Sequence, residues 1–168
     1  MNLSSRLAGS LLALGWLAGC GSVPSNTLTA SDPRLISGYV DRSNQPLICT
    51  DTSTPVEFDF TYDGDLQSIQ VTLVGLTTGE RRDVLVTDVT IAGSNVTLNF
   101  SVPVGAAPLG LPRTSGGPGR LGAQDLVPVT VDSPNVIGQT RLQVLASSGP
   151  NATTRITSNP VPVIDNCA

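Results

Sequence analysis

Residues 84–102 read VLVTDVTIAGSNVTLNFSV. Val96, Leu98, Phe100 and Val102 alternate with Thr97, Asn99 and Ser101, a period of two that sends every apolar side chain to one face of an extended strand. Residues 84–91 read as another strand, with Val89 and Ile91 on one face. Ala92-Gly93-Ser94-Asn95 between them is a tight turn, and two such strands with a short connection make a β-hairpin.

The same period recurs on both sides. Val56, Phe58, Phe60 and Tyr62 alternate with Glu57, Asp59 and Thr61; Asp63-Gly64-Asp65 is a turn; Ile69, Val71 and Leu73 alternate with Gln70 and Thr72. Residues 75–83 read as a connection, 35–40 as a weak apolar run, and 41–55, with Pro46, Cys49 and Pro55, as irregular. Beyond residue 125, Val127, Val129 and Val131 alternate around Pro128, which suggests an edge or bulged strand. Leu142 and Val144 mark a short strand after Gly138, and 155–164, carrying Pro160 and Pro162, reads as an edge strand. Residues 103–125 hold Pro103, Pro108, Pro112, Pro118 and many glycines, which fit neither a helix interior nor a central strand and predict a long mobile loop. No segment after residue 20 has helical periodicity. The composition agrees: 39% hydrophobic and 13% charged, with Val and Thr prominent, suits pleated, half-buried surfaces. The expectation is an all-β protein, an antiparallel β-sandwich of about seven to eight strands, with Phe58, Phe60, Ile69, Val71, Leu98 and Phe100 in its core.

A resemblance narrows the topology. Phe100-Ser101-Val102-Pro103, then Ala107 and Gly110, then 127–131, Gly138 and Leu142-Gln143-Val144 together resemble bacterial immunoglobulin-like modules, in which a Pro/Ala/Gly-rich turn precedes two closing strands. The resemblance implies an immunoglobulin-like sandwich and names no ligand. The insert at 111–125 departs from it.

The amino terminus carries a different signal. Residues 1–20 read MNLSSRLAGSLLALGWLAGC: Arg6, then an apolar run over 7–17 that is too short to span a bilayer. Leu17-Ala18-Gly19-Cys20 resembles the lipobox of bacterial lipoproteins. That resemblance implies a signal peptide over 1–19, diacylglyceryl on the Cys20 thiol, cleavage before Cys20, and a membrane partner reached through that lipid. Two or three acyl chains hold a protein durably, whereas one does not. Gly21 departs from the Asp that resembles an inner-membrane retention signal, so the expected address is the cell envelope, at the outer membrane if the cell has two membranes. Residues 20–34, small, polar and Pro-containing, read as the lipidated end and a flexible tether of roughly 20 Å reach, with the sandwich over 35–168.

Cysteine arithmetic follows. With Cys20 used by lipid, Cys49 and Cys167 remain as a pair in an oxidising compartment, and a disulfide between them is expected. Histidine is absent, which excludes Ser-His-Asp and Cys-His catalysis and every His-containing zinc site. All nine basic residues are Arg; against thirteen acids they leave a net charge of −4, without the basic stripe that nucleic acid needs. Asp59, Asp63 and Asp65 are the one tight carboxylate group, a weak candidate for calcium against the plainer reading of a solvated turn. Glu57 and Glu80 are the only glutamates, and the sole Trp, Trp16, lies in the leader, which disfavours a glycosidase or an aromatic sugar platform. Arg81-Arg82 beside Glu80 and Asp83 reads as an exposed charge group, and Arg113 and Arg120 as loop contacts for an anionic surface or an acidic partner. Asn95 and Asn151 head glycosylation-type sequons that chance explains in a Thr-rich chain. The expected function is non-enzymatic and cofactor-free: an anchored binding, adhesion or scaffold module, with an envelope protein or surface polymer as partner. The rival is a small-ligand or ion-binding lipoprotein with 103–125 as a lid.

Overall fold

The computed structural model describes residues 28–106, 126–149 and 152–167. The leader, Cys20, residues 107–125 with Arg113 and Arg120, and the sequon at Asn151 lie outside the described residues. The described residues form twelve strands and no helix: β1 (Thr29–Ser37), β2 (Tyr39–Val40), β3 (Pro46–Cys49), β4 (Thr54–Asp63), β5 (Ser68–Gly75), β6 (Arg81–Val84), β7 (Val86–Ala92), β8 (Asn95–Val102), β9 (Val129–Thr130), β10 (Asn135–Ser147), β11 (Thr153–Thr157) and β12 (Val161–Asp165).

Two sheets pack face to face. The smaller has the order β1-β4-β8-β7, antiparallel throughout; the larger runs β6-β5-β10-β12-β3-β2-β9, with β11 beside β12 on the same edge of β10. With β1, β4, β5, β6, β7, β8, β10 and β11–β12 lettered A, B, C, C′, D, E, F and G, the sheets are A-B-E-D and C′-C-F-G, the strand order of an immunoglobulin-like sandwich. The expected seven to eight strands become twelve because residues 46–49 add β3 and the runs 35–40, 84–91 and 155–164 each divide between two strands. Two pairings are parallel rather than antiparallel, β12 with β3 and β2 with β9.

The alternation read from the sequence is what fills the space between the sheets. Phe58, Phe60, Val96, Leu98 and Phe100 of the smaller sheet share one buried cluster with Val71, Leu73, Leu142, Val144 and Val163 of the larger. Removing each such side chain from water contributes roughly 1.5–3 kcal/mol. Ile69, the sixth expected core residue, packs against this cluster but is only partly buried, near one end of β5. At Gly38 the chain leaves β1 for the larger sheet. A Cβ there would stand 2.5 Å from Pro55 Cγ, and the Gly38 N–H donates to the Pro55 carbonyl at 2.8 Å. Only glycine admits that approach without moving the proline ring.

Several expectations need correction. Residues 29–34, assigned to the tether, are the first part of β1, so the sandwich begins earlier. Residues 46–49, read as irregular, form β3, whose Leu47, Ile48 and Cys49 are all buried. Ile48 faces the main core, while Leu47 and Cys49 join Ile164 and Cys167 in a second cluster. A strand covered on both faces shows no alternation, so this one escaped the pattern. The same holds for β12, which lies between β10 and β3 instead of at an edge; its pairing with β3 starts at Val163, one residue past Pro162. The run 84–91 is two elements: β6 in the larger sheet and β7 in the smaller, with the chain crossing at Leu85. Residues 142–144 belong to a thirteen-residue strand, β10. The turn at 92–95 and the β7–β8 hairpin stand as read, with Gly93 at φ 62.

Candidate functional site

Cys49 ends β3 and Cys167 follows β12, and the parallel neighbours bring the two together as a disulfide, with Sγ–Sγ 2.01 Å and Cα–Cα 6.1 Å. Asp51 completes the clasp: its carboxylate accepts from the backbone N–H groups of Asn166 at 3.0 Å and Cys167 at 3.3 Å. Cys49, Asp51 and Cys167 place ligand-type atoms within 4.8 Å of one another. Both thiols are consumed by the bridge, which leaves one carboxylate for a cation, too few donors for a metal centre. The clasp is structural.

The carboxylate group expected as a weak calcium candidate does not converge. β4 runs straight through Asp59 to Asp63, which separates them by about 13 Å along the strand. Asp59 accepts from Thr97 Oγ1 at 2.7 Å, across to β8, and Asp65 accepts from Gln67 Nε2 at 3.1 Å. The sequence placed three acids close together; the extended strand sets Asp59 and Asp63 apart, and Asp65 follows in the turn beyond β4.

A site emerges where no motif announced one. The inward residues of β5 and β10, Val71, Leu73, Leu142 and Val144, are core, so their neighbours Gln70, Thr72, Arg141, Gln143 and Leu145 face outward. Register sets them in rows. Arg81, Val74 and Arg141 lie abreast; then Asp83, Thr72 and Gln143; then Gln70, Leu145 and Arg155. Three arginines from three strands thus share one sheet face with a single acid, Asp83, whose carboxylate accepts from Thr72 Oγ1 at 2.9 Å. Between Arg81 and Arg155 lies a trough of about 350 Å³, lined also by Gln70, Thr72, Asp83, Gln143 and Leu145. The ion pairs among the described residues are Arg42–Asp132 and Arg82–Glu80, and neither uses these three arginines. Arg141 also has its Nε buried without a hydrogen-bond acceptor. In a chain of net charge −4, this face is locally positive.

The expected exposed group around Arg81-Arg82 is divided by the pleat. Arg81 goes to the outer face, while Arg82 is opposite Leu73 on the inner side, partly buried, and donates to Glu80 Oε1 at 2.7 Å. A second opening, about 380 Å³, lies between the sheets beside β6 and β8, with Leu73, Val84, Leu85, Pro103 and Ala106 in its wall. A hydrophobic cavity lined by Phe and Val would favour the rival reading of a ligand lipoprotein. Here Phe58 and Phe60 are fully packed in the core instead, and the lid segment lies mostly outside the described residues.

Sequence reasoning missed the arginine face because its cations are far apart in the chain. The available signal was the polar member of each alternation: Gln70 and Thr72 on one strand, Arg141 and Gln143 on another. The fold and this face define a class: an immunoglobulin-like β-sandwich that presents a basic, hydrogen-bonding sheet surface. No protein-family model and no curated protein matches the chain.

Proposed function

We propose that the chain is a lipid-anchored envelope protein whose sandwich is a non-enzymatic binding module, and that the β6-β5-β10-β11 face holds an acidic surface polymer. The observation that carries the reading is the set Arg81, Arg141 and Arg155, gathered on one face without an ion-pair partner among the described residues. A guanidinium donates in a planar fork that matches carboxylate and phosphate oxygens, and charge-assisted hydrogen bonds of this kind are about twice as strong as neutral ones. Gln70 and Gln143 add amide donors and acceptors for the hydroxyl groups of a sugar backbone. The lipobox-like Leu17-Ala18-Gly19-Cys20 supports the anchor. The absence of histidine supports a binding role, since imidazole acid–base and triad chemistry are excluded.

The test is binding of the whole protein, in detergent, to polygalacturonate as a carboxylate polymer and to polyphosphate. Binding is expected to weaken as salt rises. Each of R81Q, R141Q and R155Q is expected to cost about 10-fold in affinity, and R42Q, off the face, nothing measurable. Retention of wild-type affinity by the triple variant overturns the assignment of this face.

A further inference from the structure

A sheet edge offers a row of unpaired backbone N–H and C=O groups, and natural sandwiches blunt such edges with charge, proline, bulges or brevity. Four of the five free edges among the described residues are blunted. β1 carries Pro33 and a bulge between Ser31 and Arg34. β6 has four residues and opens Arg81-Arg82-Asp83; β9 has two and follows Pro128. β11 has Arg155 at its centre and β1 against it.

β7 is the exception. It has no proline and no basic residue, and both its bulge, between Val86 and Asp88, and its one charge, Asp88, lie towards its start, so 89–92 is regular, uncharged strand. Val89 and Ile91 pair across the ladder with Leu98 and Val96, which are completely buried, yet they are themselves 43% and 52% exposed. Their side chains overhang the end of the sandwich, on the core side of the smaller sheet.

The backbone at this edge is equally specific. A two-residue turn, Gly93-Ser94, closes the hairpin on the pair Ala92 and Asn95. That closing pair is hydrogen-bonded within the hairpin, and antiparallel pairs alternate, so Ile91 and Val89 are non-hydrogen-bonded towards β8. Their N–H and C=O groups therefore point to the open edge. We propose that β7 pairs antiparallel with β7 of a second copy of this chain, about a twofold axis at Thr90, joining two four-stranded sheets into one of eight.

This register matches itself at every position. Val89 falls opposite Ile91 of the second copy, and these are the residues with free backbone groups, so the ladder closes. Thr90 falls opposite Thr90, a favourable cross-strand pair of the close, non-hydrogen-bonded type. Asp88, the sole charge of the strand, falls opposite Ala92 and meets no like charge. The overhanging Val89 and Ile91 of both copies merge into one apolar strip. Any strand could supply the backbone groups; a second copy also sets an apolar residue against each overhanging one and keeps the two Asp88 carboxylates apart.

The experiment uses the whole chain in mild detergent. Sedimentation of the wild type is expected to give twice the monomer mass, and T90K, which sets two ammonium groups opposite each other, is expected to return it to monomer. Under mild oxidation T90C is expected to run as a covalent dimer on a non-reducing gel, because a close pair suits disulfide geometry. S68C, exposed at the start of β5, is expected to stay monomeric. Thr90 is exposed, so both variants retain the fold, checked by the intact Cys49–Cys167 bridge. A wild type that stays monomeric, or T90C that cross-links no better than S68C, overturns the proposal. Cross-linking of T90C to a different protein in native membranes also overturns it, and assigns the edge to a foreign strand.

Discussion

At the scale of single residues, buried hydroxyl groups repair the places where the ladder fails. Ser158 sits between β11 and β12, where the register against β10 slips by one residue between Gln143↔Thr157 and Thr140↔Val161. Its Oγ accepts from the Leu142 N–H at 3.0 Å and donates to the Asn159 carbonyl at 2.7 Å, while its own N–H donates to the Leu142 carbonyl at 2.9 Å. Thr54 does the same work at the other end of the sandwich, accepting from the Cys49 N–H at 2.9 Å. A buried donor left without an acceptor bears its full desolvation cost. S158A is therefore expected to lower stability by about 1–3 kcal/mol, read as a shift in the urea midpoint without a change in slope. None of this was visible in the sequence, where Ser158 is one more polar residue before Pro160.

At the scale of elements, legibility followed coverage. β4, β5 and β8 each have one buried and one partly exposed face, so their alternation is plain in the sequence. β3 and β12 have cores on both sides, and their apolar runs with Pro46 and Pro162 looked like loop and edge. What joins those two strands is short: a parallel pairing of Val163 with Ile48 and Ile164 with Cys49, the Asp51 contacts, and the disulfide. The bridge closes a loop of 118 residues. In the chain-entropy model such a loop is worth roughly 4–5 kcal/mol, with measured values often lower. Replacing both Cys49 and Cys167 with Ser is expected to lower the unfolding midpoint markedly and to make β12 amides exchange first. Unchanged stability would mean that the paired strands suffice without the bridge.

At the scale of the whole molecule, charge is unevenly placed. The acids are spread over turns and edges, such as Asp41, Asp63, Asp132 and Asp165, while three of the described arginines gather on one sheet face. The proposed anchor would bring this face to its proposed partner in the plane of a membrane rather than in bulk solution. The anchor has its own test. C20S is expected to abolish fatty-acid labelling and to leave the protein uncleaved or soluble, checked by detergent phase partition. A C20S protein that still labels and partitions with detergent would place the anchor elsewhere in the chain.

The amino-acid sequence by itself determined the all-β class, the turn and hairpin at 92–95, most of the core, and the cysteine pair. Each of these depends on local period or on simple counting: an alternating strand declares which face it buries, and two cysteines outside the leader have only each other to pair with. Tertiary structure alone decided the order of strands, the central place of β3 and β12, the crossing at Leu85, and the meeting of Arg81 with Arg141 and Arg155. The decisive neighbours are distant in the chain: Arg141 lies 60 residues from Arg81 and 14 from Arg155, and Val163 lies 115 from its partner Ile48. A strand's own sequence says which side chains point outward, but not which strand will lie beside it, and a surface made of three strands exists only once they are side by side.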